Sequence, residues 1–103
     1  MKAVVYAFVS GWGQAEALQR QGAAGTLRAR ELGADDVQVL EDSFGAASLE
    51  RPAMSRLRDM VRSGEVDLVV ASGADALSRD AHDLSTLKRE LEEHHVTLAL
   101  LAG

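Results

Sequence analysis

Ser10 is a hydroxyl standing where a fold can put it to use. It follows the apolar run Ala3-Val4-Val5-Tyr6-Ala7-Phe8-Val9, whose β-branched and aromatic residues over a strand-like length predict a buried β-strand. Gly11 and Gly13 then mark a tight loop, and a helical pattern begins near Gln14. Open α/β sheets place reactive groups at the carboxyl ends of their strands, and that is where Ser10 falls. A loop or helix-capping serine would occupy the same position, and the local pattern leaves both readings open. Side chains alternate along a strand, so Tyr6, Phe8 and Ser10 share one face and Val5, Ala7 and Val9 the other. Phe8 is therefore the neighbour of Ser10 on its own face.

The elements that must hold Ser10 alternate between strand and helix. The first strand spans about 2–9, and a helix runs from about 14 to 32, with Leu18, Gln21, Gly25 and Leu32 near one face and Gly33 as its C-terminal cap. Val37-Gln38-Val39-Leu40 makes a short second strand, and 41–48 reads as a loop with Asp, Ser and Gly turn chemistry. A helix begins near Glu50, with Pro52 in its first turn and Met54, Leu57, Met60 and Val61 as its apolar stripe. Residues 66–71 form a buried strand and 72–77 a loop. Ser78 or Asp80 caps a helix that reaches about Glu93 with Leu84, Leu87 and Leu91 inward, and 96–101 is the last strand. Strands alternating with helices of ten or more residues imply an α/β, three-layer domain: a mostly parallel four-stranded sheet with helices on both faces.

Length and composition fit one small domain. The chain has 103 residues, 47% of them hydrophobic, and no cysteine, so a core is affordable while a disulfide framework and a thiolate metal site are excluded. The apolar start is too short and strand-like for a secretory signal, and no stretch approaches the roughly 20 apolar residues of a membrane span. A cytoplasmic protein with no membrane partner is the expectation, with no cofactor and no metal. His94-His95 at a helix end suits the helix dipole better than a metal. The formal net charge is −5, a poor match to a domain that grips DNA by neutralising phosphates. Arg20, Arg28, Arg30, Arg56 and Arg58 lie in helical stretches, where a solvated face is the expected role.

Three blocks in order resemble the serine recombinase (resolvase/invertase) family's catalytic domain. YAFVSGWGQAEALQRQ follows the family's Tyr-Ala-Arg-Val-Ser, then Gln, Leu and a second Gln, which places Ser10, Gln14, Leu18 and Gln21 on those positions. ASLERPAM matches the loop-to-helix stretch and places Arg51 on the family's arginine. VDLVVASGADALSRD matches a strand and the loop after it, keeping Asp75, Leu77, Ser78 and Arg79. The match covers nearly the whole chain. It implies a resolvase-like catalytic domain over residues 1–103, with catalytic residues Ser10, Asp75, Arg79, Arg51, Gln14 and Gln21. The implied reaction is site-specific DNA strand cleavage and exchange through a phosphoserine–DNA intermediate. It also implies DNA as partner, engaged mainly by a downstream dimerisation helix and DNA-binding domain that the sequence lacks, and it allows a homodimer.

The departures all remove positive charge. Phe8 stands in place of the arginine beside the nucleophile, Gly73 in place of a lysine and Ala76 in place of a second arginine. A planar guanidinium matches phosphate geometry, and phenylalanine offers neither charge nor hydrogen bond. The expectation is a recombinase-like fold with an impaired site, the alternative an inactive relative serving as a protein-interaction or regulatory module. Asp75 and Arg79 could also be a structural pair at a helix start, Gln14 and Gln21 ordinary helix-surface residues. Trp12 is either tucked over Phe8 or exposed as a contact surface.

Overall fold

The computed structural model describes residues 1–11, 13–43 and 49–102. Trp12 therefore lies outside the described residues, as does most of the expected 41–48 loop. The first strand, β1 (Lys2–Val9), is the centre of the fold, with Ala3 to Ala7 at most 1% exposed. It pairs along its whole length with β2 (Asp36–Ser43), from Lys2 opposite Asp36 to Val9 opposite Ser43. On its other side β3 (Leu68–Ala71) pairs only with Ala3 to Tyr6, and β4 (Thr97–Leu100) completes an all-parallel sheet of order β2-β1-β3-β4. The order reverses between β1 and β3, and such a switch point opens a crevice outside the carboxyl ends of the two strands.

Helix α1 (Ala15–Glu31) covers the face of Ala3 and Val5, and the face of Val4 and Tyr6 packs against α2 (Pro52–Arg62) and α4 (Ala81–Glu93). The buried stripe of α1 is Gly22, Gly25 and Ala29. These residues are small because the helix lies close to the sheet: a Cβ on Gly25 would stand 2.3 Å from Val5 Cγ1. Leu32, expected on that face, is instead the C-cap and 39% exposed, because the chain leaves the helix there; Gly33 follows in the left-handed region at φ +102°. In α2 the expected stripe of Met54, Leu57, Met60 and Val61 is buried, and Pro52 sits in the first turn. Asp80 caps α4 by accepting from the Asp83 amide at 2.9 Å.

Three other expectations change. β2 runs to Ser43 rather than Leu40, because β1 offers ladder partners past the apolar run and an edge strand lets Glu41 and Ser43 face water while Asp42 turns inward. The 72–77 loop contains a one-turn helix, α3 (Ala74–Leu77). Arg58 is no solvated side chain: it forks onto Glu90 with two 3.1 Å hydrogen bonds across α2 and α4, and Arg62 adds a third at 3.1 Å.

Candidate active site

β3 stops at Ala71 opposite Tyr6, but β1 continues to Val9. The unpaired backbone this leaves is met from α1. Gln21 accepts from the Phe8 amide through Oε1 and donates to the Phe8 carbonyl through Nε2, both at 2.9 Å. Its carboxamide takes the place of the missing strand residue and holds the strand end from which Ser10 emerges. A glutamine at this point of α1 is thus explained by a backbone need that local pattern does not reveal.

The crevice beyond is a cleft of about 270 Å³ lined by residues of the β1 end, the start of α1 and the segment after β3. Ser10, Gln14, Gln21, Asp75 and Arg79 all face it, together with Phe8 and Ala76. Parallel strands put the two loops at one end of the sheet, which brings residues far apart in sequence to one place. Ser10, Gln14, Asp75 and Arg79 are exposed there, and no hydrogen bond or ion pair joins Asp75 to Arg79. They are not the structural pair that spacing alone allowed. A Cβ on Gly73 would come within 3.1 Å of Asp75 Oδ1, so glycine at that position leaves the carboxylate its room.

Arg51 is the one expected site residue not in the cleft lining. It lies beneath, 3% exposed, with Cζ 4.7 Å from the centre of the Phe8 ring and 5.6 Å from that of Tyr6. Its Nη1 donates to the Ala76 carbonyl at 3.4 Å and its Nη2 to the Leu77 carbonyl.

Asp42 went unnoticed in the sequence because it falls where turn chemistry was expected. It is 6% exposed, accepts the Tyr6 hydroxyl at 2.7 Å, and accepts the Ala53 and Met54 amides at 2.9 Å each. It therefore caps α2 from a different element, satisfying amides that a helix start leaves without partners. Burial, reinforced by donation to Asp42, pushes the Tyr6 phenol far above its ordinary pKa. The only local signal was an acidic residue at the end of a strand pattern.

This geometry has relatives. Residues 3–103 match the family model of the resolvase N-terminal domain. The chain belongs to that family. Among solved structures, this resolvase domain is similar to the catalytic domain of ISC1926 TnpA, an IS607-like serine recombinase, at 28% identity and a TM-score of 0.90, over 100% of this chain and 69% of the other. It is similar also to the N-terminal catalytic domain of TP901-1 integrase, at 29% identity and a TM-score of 0.87, over 98% and 78%. A resolvase family site-specific recombinase from Streptococcus pneumoniae shares the fold at 20% identity, with a TM-score of 0.79 over 98% and 72%. A search of curated protein sequences found no match. Among the described residues no helix is long and apolar enough to cross a membrane.

Proposed function

We propose that this domain cleaves DNA as a serine recombinase does, with Ser10 as nucleophile, and that its chemistry is impaired by the loss of two cations. One observation carries the reading: the cleft that gathers Ser10, Gln14, Gln21, Asp75 and Arg79 is also lined by Phe8 and Ala76, the positions at which the family pattern has arginine. In the reaction, Ser10 Oγ bonds to the phosphorus of a DNA phosphodiester while the bond to the 3′ oxygen breaks, leaving a 5′ phosphoserine link and a protonated 3′ hydroxyl. Charge on the phosphoryl oxygens must be met by preorganised donors. Arg79 is the cation available in the cleft lining. Losing one donor costs on the order of 10²–10³ in rate and losing a phosphate-binding arginine about 10³–10⁵, and two such losses need not multiply. The net charge of −5 works against phosphate binding as well, so the chain by itself is expected to bind DNA negligibly at physiological salt.

The test joins the chain to a recombinase dimerisation helix and DNA-binding domain and looks on a denaturing gel for protein linked to a 5′ phosphate. A faint adduct that vanishes in Ser10→Ala is expected. An adduct that survives Ser10→Ala would overturn the assignment of the nucleophile. The burial of Arg51 under Phe8 favours a second reading, a catalytically inert interaction module, and complete absence of adduct at enzyme excess would select it.

A further inference from the structure

Arg51 is a charged side chain placed almost wholly out of water, where an unpaired charge is costly. No carboxylate lies within 4.0 Å of it among the described residues, and its Nε has no hydrogen-bond partner there. What compensates it is specific. The carbonyls of Ala76 and Leu77 accept from the two ends of its fork, and its Cζ lies over the Phe8 and Tyr6 rings. Those carbonyls belong to α3, a single turn that, like any helix end, leaves its last carbonyls without intrahelical partners. A cationic side chain is a suitable donor to them. A desolvated guanidinium over an aromatic face is attracted by the ring quadrupole, more strongly than at an exposed site.

These contacts join three elements at one residue. Arg51 is the N-cap position of α2, its aromatic neighbours are on β1, and its acceptors are on α3. Ser10 follows directly on the end of β1, while α3 and the residue pair after it carry Asp75 and Arg79. We propose that Arg51 is a positioning residue that holds the α3 turn in register with the end of β1, and that Phe8 is its built receptor. Phenylalanine at position 8 then has a role of its own, as the surface on which a buried cation is stacked. The inference deepens the reading of the cleft by saying how its two sides are held. It rests on that reading only for what the cleft is used for. Lysine is a poor substitute: an ammonium is a compact point charge without the rigid planar fork of a guanidinium or the flat face it offers to a ring.

The experiment is amide hydrogen exchange by NMR on the full chain without DNA, beside denaturant melts, for Arg51→Met, Arg51→Lys and Phe8→Leu. The informative amides are those of Ala76 and Ser78, which bond the Gly73 and Ala74 carbonyls within the α3 turn. In Arg51→Met they should lose roughly 10-fold or more protection beyond the change in the β1 and β3 amides, the scale of one lost hydrogen bond to a charged group. Arg51→Lys should fail to restore it, and Phe8→Leu should give a smaller loss at the same amides. Equal change at every amide, no change at the turn, or full rescue by lysine would overturn the proposal. Should Arg51→Met not fold, the lysine and leucine variants decide by the same comparison. Because no DNA is present, failure of the proposed reaction leaves this result unaffected.

Discussion

Ser10, Asp75 and Arg79 at the rim of the cleft are exposed, and their side chains have no hydrogen-bond or ion-pair partner among the described residues. Tyr6, Asp42 and Arg51 in the layer beneath are buried and bound to named atoms on other elements. Both regions hold polar and ionisable groups at the same end of one sheet. The lower layer spends them on joining elements, since a buried polar group left unmatched costs free energy. The rim leaves them unspent, which is the condition of groups available to a ligand. Arg51 crosses from one class to the other: by sequence block it belongs to the rim, by geometry to the layer beneath.

If that division is right, damage to the lower layer should cost stability and damage to the rim should not. The largest effect is expected from Asp42→Ala, which strips the Ala53 and Met54 amides and the Tyr6 hydroxyl of their acceptor. Urea denaturation should show a loss of about 2–4 kcal/mol, from a lost cap and buried groups left unmatched; a loss below about 0.5 kcal/mol would erase the distinction. Gly25→Ala comes next. Alanine is the better helix former by about 1 kcal/mol, but its Cβ would meet the stiff, buried Val5 side chain, and overpacking costs about 1–3 kcal/mol. A net loss in melting temperature is expected, and a gain would show that α1 rides further from the sheet.

A smaller, pH-dependent effect attaches to Glu90. Burial alone would raise its carboxyl pKa, but the hydrogen bonds from Arg58 and Arg62 outweigh burial and hold it below the ordinary value of 4.5. A depressed folded-state pKa means that this stabilisation is present above pH 4.5 and lost as pH falls through the folded value. Glu90→Gln should therefore cost about 1 kcal/mol at pH 7 and progressively less below pH 4.5. A difference that stays constant with pH would remove the ion pair from the account. Smallest of all, Ser10→Ala and Asp75→Asn should each change stability by no more than about 0.5 kcal/mol, as substitutions at exposed, unpartnered positions do. A loss above about 1 kcal/mol from either would place that residue in the structural layer.

Much of this architecture could be read from periodicity. The apolar strand at 2–9 and the stripe of α2 follow from spacing and residue type. Residue type narrows the cap of α4 to Ser78 or Asp80, of which the structure uses Asp80, and the parallel order follows from alternation of elements. The gathering of Ser10, Asp75 and Arg79 in one cleft followed from that topology. What escaped reading depends on contacts between distant segments. Asp42 looks like a turn residue until α2 is brought to it, and Arg58 looks solvated until Glu90 arrives from α4. Gln21 has its reason only once β3 stops short of Phe8. Arg51 lies in a block that pointed to the cleft, but its final place is set by the aromatic rings of β1, to which no local pattern refers. Leu32 followed the helical period by one residue too many, where the chain was already leaving the helix.

The most direct test of the account compares two versions of the recombinase fusion, one with the natural cleft and one carrying Phe8→Arg and Ala76→Arg. The quantity read is protein linked covalently to a DNA 5′ phosphate, with Ser10→Ala as the blank. If the cleft holds a competent nucleophile short of cations, the double substitution should raise adduct formation by roughly 10²-fold or more, even as Phe8→Arg removes the ring beneath which Arg51 is stacked. Equal adduct from the two fusions, or robust cleavage by the natural one, would contradict it.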